Sequence, residues 1–149
     1  LALETVSLCE AMATGKRVSL TLQGSCVPVL GDRDRMREVL MNHVTNANRY
    51  NRESGAVDLS LRTEGQEAVL AVADSGIGIP EKDRPHVFER FYRADQARSR
   101  ELGGSGLGLA ITRWIVEAHG GTIAFAAREG GGTTFTVRLP GAVEGTLPP

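Results

Sequence analysis

Apolar residues recur at spacings of three and four after Asp32, at Met36, Val39, Leu40, Val44 and Ala47, which predicts an amphipathic helix. Asp32-Arg33-Asp34 supplies the N-cap chemistry for its start. Upstream, Val18-Ser19-Leu20-Thr21-Leu22 alternates with period two and predicts a strand, and residues 27–30 are expected to pair with it across a Gly24-Ser25 turn. Residues 57–61 and 68–73 predict two more strands, joined through Glu64-Gly65-Gln66, a hairpin signal. From Asp74 to Gly106 the chain carries glycine, proline and many charges, with room for one short helix over 81–90. A stretch that long without a firm element reads as a lid. Gly103-Gly104-Ser105-Gly106-Leu107-Gly108-Leu109 then opens an apolar helix running to about Ala118, and residues 122–127 and 133–139 close the pattern as a hairpin about Gly130-Gly131-Gly132. Residues 1–14 read as a short helix with Leu1, Leu8 and Met12, its start cut rather than capped, as the end of a linker helix continuing upstream. The tail at 141–149 is expected to be disordered. Helices segregated between antiparallel strand pairs predict an α+β two-layer sandwich.

Composition narrows the class. At 149 residues the chain is long enough for one domain with its own core, and 41% hydrophobic with 23% charged residues is ordinary for a soluble globular protein. A formal net charge of −1 offers no basic field for a nucleic-acid backbone, so no nucleic-acid partner is expected. No apolar run approaches the roughly 20 residues that cross a bilayer, and no secretory signal opens the chain. Cys9 and Cys26 stand away from any metal-ligand spacing and read as small apolar fillers in a reducing, cytoplasmic compartment. His43, His86 and His119 read as packing or capping residues.

Three segments carry chemistry. On the long helix, Asn42, Asn46 and Arg49 fall within roughly 60° of one another at the border of the apolar stripe, with Tyr50 between them and the core. Amide oxygens are neutral, hard ligands suited to a Mg²⁺ already neutralised by phosphates. The neighbouring Arg can pair with phosphate oxygens, and Tyr50 offers a flat face to a base. Asp74-Ser75-Gly76-Ile77-Gly78-Ile79-Pro80 places a carboxylate at the end of an apolar strand, where a charge is costly unless something donates to it. It can accept from an exocyclic amine of the kind adenine presents, and the two glycines admit a ligand close to the backbone. The glycine run at 103–108 puts bare N–H groups and a helix dipole against a polyanion. It is neither a dinucleotide fingerprint nor a Walker A loop, because no βαβ unit surrounds it and no Lys-Ser/Thr follows. Between the glycine segments, Phe88-Glu89-Arg90-Phe91-Tyr92-Arg93 lies among Arg84, Arg98 and Arg100, and Arg93 is the preferred arginine for the terminal phosphates.

These segments, in this order, resemble the ATP-binding catalytic domain of sensor histidine kinases, within the GHKL ATPase superfamily. Residues 31–50, with Asn42-His43-Val44-Thr45-Asn46-Ala47-Asn48-Arg49-Tyr50, resemble the N box. Asp74-Ser75-Gly76-Ile77-Gly78 resembles the G1 box, Phe88 to Arg93 the F box, and Gly104-Ser105-Gly106-Leu107-Gly108-Leu109 the G2 box. The likeness spans residues 18–140. It implies the Bergerat-type fold, a mixed five-stranded sheet packed on about three helices, with the ATP-binding catalytic domain over 15–140. The implied ATP-binding residues are Asn42, Asn46, Arg49, Tyr50, Asp74, Gly76, Gly78, Ile79, Arg93, Gly104, Ser105, Gly106, Leu107, Gly108 and Thr133. Mg²⁺ is implied at Asn46, assisted by Asn42, and Thr133 supports the adenine pocket through water.

The same resemblance implies donation of the ATP γ-phosphate to a histidine on a separate dimerisation domain, for relay to an aspartate of a cognate response regulator. Related ATPases carry a water-activating Glu at position 42. Asn42 cannot act as a base, so direct hydrolysis should be slow and no residue of the chain is expected to do acid–base work. The chain itself is expected to be monomeric, within a homodimeric, membrane-anchored parent. A nucleotide-sensing or partner-docking domain without kinase activity, and an anti-sigma-type serine kinase, are the alternative readings.

Overall fold

A computed structural model describes residues 4, 7, 17–25, 27–92 and 107–141. The elements are β1 (Ser19–Gly24), α1 (Arg33–Arg49), β2 (Ala56–Glu64), β3 (Glu67–Asp74), a 3₁₀ helix (Glu81–His86), α2 (Gly108–Ala118), β4 (Thr122–Ala127) and β5 (Thr133–Pro140). The strands form one mixed sheet in the order β1-β2-β3-β5-β4. All neighbours are antiparallel except β1 and β2, which run parallel with Leu20 opposite Val57. The α-helices cover one face, giving the two-layer α+β architecture.

The strand pairing departs from expectation at one point. Residues 27–30 do not turn back onto β1, and Val29 instead bridges to Gly141. Pro28 has no N–H to give a ladder, and β1 satisfies its inner edge on β2 through the α1 crossover. The 64–67 connection is the expected tight hairpin, with Gly65 at φ +59°.

Asp32 caps α1, its Oδ1 accepting from the N–H groups of Asp34 at 2.9 Å and Arg35 at 3.1 Å, an interaction worth about 1 kcal/mol. The stripe of α1 buries Met36, Val39, Leu40, Val44 and Ala47 as the spacing predicts, and adds His43. Against it pack Val57 and Leu59 of β2, Leu70 and Val72 of β3, Val137 of β5, and Ile115 and Val116 of α2. The far ends of the two helices are tied by His119. Its Nε2 accepts from the Asp32 N–H at 3.1 Å while its Nδ1 lies 2.8 Å from the Ile115 carbonyl oxygen, so these partners assign the proton to Nδ1. His43 and His119 are thus the packing and capping residues expected, whereas His86 is half-exposed and pairs with Glu89 at 2.8 Å.

Phe88 is anchored rather than loose. It packs at 5.8 Å from Phe125 and 6.4 Å from Phe135, and the Arg113 guanidinium lies 5.5 Å over its ring. Tyr92 donates to the buried Asp83, which fixes the chain just before residue 93.

Candidate functional site

The last turn of α1, the loop after β3, and the start of β5 meet at one place. The carbonyl oxygen of Tyr50, at the helix C-cap, accepts from the Ile77 N–H at 3.2 Å. A Cβ on Gly76 would lie 2.3 Å from that same oxygen, so only glycine fits where the loop passes the helix end. Asp74, the last residue of β3, is buried, and its Oδ1 accepts from the N–H groups of Gly76 at 2.8 Å and Thr133 at 3.4 Å. No described residue donates to its other oxygen. Burial raises the carboxyl above its ordinary value, against the lowering effect of the two backbone N–H groups and of the Arg128 charge.

Gly132 lets β5 come this close. It sits at φ +102°, and a Cβ there would fall 1.9 Å from the Asp74 carbonyl oxygen. In the sequence it reads as hairpin chemistry within a run of three glycines, and its contact with Asp74 has no local signal. Asn51 and Ser75 also escape a sequence reading. Asn51 Nδ2 donates to the Ala56 carbonyl oxygen at 2.9 Å, and its Oδ1 accepts from Ser75 Oγ at 3.1 Å, which fastens the loop after β3 to the end of α1.

A second cluster lies one helical turn before Asn46. Asn42 Nδ2 lies 3.4 Å from the Gly108 carbonyl oxygen and 3.3 Å from Thr112 Oγ1, joining α1 to the first turn of α2. That turn begins at Leu107, with no side-chain hydrogen bond capping it among the described residues. Asn46 stands at i+4 from Asn42 and i−4 from Tyr50, on the strip between the two clusters. It is half-buried, and its side-chain amide makes no hydrogen bond among the described residues.

The structure therefore brings Tyr50, Asp74, Gly76 and Thr133 together, and separately Asn42 with Gly108, with Asn46 between. Gly78, at φ +73°, and half-buried Ile79 continue the loop beside them, and Arg49 closes α1. Arg93, Gly104, Ser105 and Gly106 lie outside the described residues, as do Arg98, Arg100, Cys9, Cys26, all of 1–14 except Glu4 and Ser7, and 142–149.

The donor set suits a phosphate-bound cation better than a free one. Among the described residues no three acidic, His or Cys side chains converge as a metal cage. The available groups are neutral amides, which can complete the shell of a Mg²⁺ held chiefly by phosphate and water.

Known proteins resemble this chain in sequence and in fold. The family model for histidine kinase-, DNA gyrase B- and HSP90-like ATPases matches residues 31–143. The sensor histidine kinase WalK of Bacillus subtilis is 50% identical over 111 residues, covering 73% of this chain and 18% of WalK. The sensor-like histidine kinase SenX3 of Mycobacterium tuberculosis is 47% identical over 116 residues, 78% of this chain and 28% of SenX3. The chain thus spans less than a third of these relatives. The nucleotide-free catalytic domain of histidine kinase ThkA superposes with a TM-score of 0.81 at 29% identity, covering 93% of this chain and 89% of that one. ThkA in complex with its response regulator TrrA superposes with a TM-score of 0.75 at 27% identity, covering 93% and 39%. The chain is a member of the histidine kinase-, DNA gyrase B- and HSP90-like ATPase family, and within it an ATP-binding catalytic domain of the sensor histidine kinase type.

Proposed function

We propose that this domain binds Mg²⁺-ATP and presents the γ-phosphate to a histidine on the dimerisation domain of its parent kinase, for relay to a response-regulator aspartate. The observation that carries the reading is the divided carboxylate of Asp74. One oxygen of this buried residue is held by two backbone N–H groups, and the other is left as an open acceptor beside glycines that admit a flat base. In this reading Asp74 accepts from the adenine amine, Thr133 completes that pocket, and Tyr50, Gly76, Gly78 and Ile79 line it. Asn46, with Asn42, supplies amide oxygen to the metal, and Arg49 contacts phosphate. Leu107 and Gly108 direct helix N–H groups toward the phosphates, with Gly104, Ser105, Gly106 and Arg93 as the remaining contacts. Bound Mg²⁺ would supply charge neutralisation of the transferring phosphoryl group. The chain's own contribution is positioning, and the absence of a base at Asn42 keeps water from competing with the protein acceptor.

The complex of ThkA with TrrA supports a response regulator as the downstream partner. The domain would occupy 15–140, following a linker helix over 1–14 and preceding a disordered tail over 141–149, on the cytoplasmic side of a membrane-anchored, homodimeric parent. Among the described residues no helix is long and apolar enough to cross a membrane.

Isothermal calorimetry on the isolated domain should give ATP binding that requires Mg²⁺. A folded sample with no such binding overturns the proposal. Asp74→Asn supplies a sharper test. The two backbone N–H donors hold the amide oxygen of Asn, so its NH₂ would face the base where a carboxylate oxygen stood. ATP affinity should fall about 10- to 100-fold, the equivalent of one hydrogen bond to a charged group, and GTP should gain relative to ATP. An unaltered ATP-over-GTP preference would remove Asp74 from adenine recognition.

A further inference from the structure

We propose that Thr112, through its hydroxyl, fixes the orientation of the Asn42 amide, committing its NH₂ to α2 and leaving its oxygen available to the metal and phosphates. Thr112 is fully buried in α2, four residues beyond Gly108, and its Oγ1 donates to the Gly108 carbonyl oxygen at 2.8 Å. That bond uses the only hydroxyl proton, so Oγ1 can offer Asn42 nothing but a lone pair. The Gly108 carbonyl can likewise only accept. Asn42 therefore faces two acceptors, at 3.4 and 3.3 Å, and only its NH₂ group fits that side. With the NH₂ so engaged, no described residue donates to Oδ1, which lies 3.9 Å from where a Cβ on Gly108 would stand. A flipped amide would set oxygen against two lone-pair sites and direct N–H groups at a cation. One hydroxyl proton, fixed by a helix carbonyl, thus makes Thr112 the second acceptor that, with the Gly108 carbonyl, commits the Asn42 NH₂ to α2 and leaves its oxygen to serve as a ligand.

A hydroxyl that merely returns to the carbonyl four residues back is common in helices, and such a bond alone would leave Asn42 indifferent to it. Thr112→Val separates the two cases, because it keeps the shape and removes the hydroxyl. The first readout needs no nucleotide. In the wild-type protein the Asn42 side-chain amide should give two well-separated NMR proton resonances protected from exchange, and in Thr112→Val these should collapse toward exposed-amide values. The second readout is the Mg²⁺ concentration that half-saturates ATP binding. It should rise about fivefold in Thr112→Val, the loss expected for one neutral hydrogen bond, with weak metal-free ATP affinity unchanged. Thr112→Ser should behave as wild type in both readouts. Should Thr112→Val not fold, Thr112→Ala removes the same hydroxyl and decides the matter. The inference rests on the Mg²⁺-ATP reading for its second readout only. Wild-type protein that binds no Mg²⁺-ATP overturns that reading. Wild-type binding together with a hydroxyl-free variant that matches it in amide resonances and Mg²⁺ dependence overturns the role of Thr112, as does a Ser variant as impaired as Val.

Discussion

Asn46→Ala should weaken Mg²⁺-dependent ATP binding by about 100-fold or more, at the top of the range for losing support around a metal. Thermal stability should stay within about 0.5 kcal/mol of wild type. Both halves follow from the position of the residue. Its amide makes no hydrogen bond among the described residues, so truncation leaves no protein group unpaired. Alanine is also the better helix former, by several tenths of a kcal/mol, which offsets the small loss of packing on a half-buried strip. Calorimetry with and without Mg²⁺, paired with thermal denaturation, checks the prediction. A variant that unfolds many degrees early would make Asn46 a structural residue instead.

Acidification should destabilise the domain by about 3 kcal/mol between pH 7 and pH 4 through His43 alone. The side chain is 2% exposed, its ring 5.3 Å from that of Phe135 and tilted at 45° to it, and its Nε2 is buried with no partner among the described residues. Burial lowers its pKa from 6.5 to about 4. The sign is unambiguous: between those values the unfolded chain binds a proton that the folded chain refuses. The contribution is fully present above pH 6.5 and is lost progressively as pH falls to 4. Asp74 acts oppositely, since its raised carboxyl takes up a proton first in the folded state. Substitution of His43 isolates its own contribution, read over the interval from 5 to 6.5. His43→Leu should flatten the urea-derived stability profile over that interval and cost little at pH 7, since it removes an unsatisfied buried nitrogen and keeps an apolar volume. A profile equally steep in the variant would place the proton uptake elsewhere.

The helices and hairpins were legible because their signals are local. The capping carboxylate of Asp32, the stripe from Met36 to Ala47, and Glu64-Gly65-Gln66 each specify structure within a few residues. The partner of β1 was not legible. Its turn chemistry at Gly24-Ser25 argued for a neighbouring strand, while the true partner begins at Ala56, beyond an entire helix. The same division runs through the site. Asn42, Asn46, Tyr50 and Asp74 stand out by residue type in an unlikely place. Thr112 and Gly132 do not, since a threonine in a helix and a glycine in a hairpin are unremarkable until residues about 60 to 70 positions away arrive against them. His43 shows the reverse limit: spacing placed it near the core, but its missing partner is a property of the packed interior.

The contact between Gly132 and the end of β3 gives the domain an order of assembly. Asp74 leaves the ribosome well before Gly132 and Thr133, and Thr133 supplies the second backbone donor to its carboxylate while Gly132 allows the close approach. A chain cut before Gly132 would leave the Asp74 carboxylate with the Gly76 N–H alone and β3 without its β5 partner, so the support of this side chain and the closing of the sheet depend on the same last hairpin.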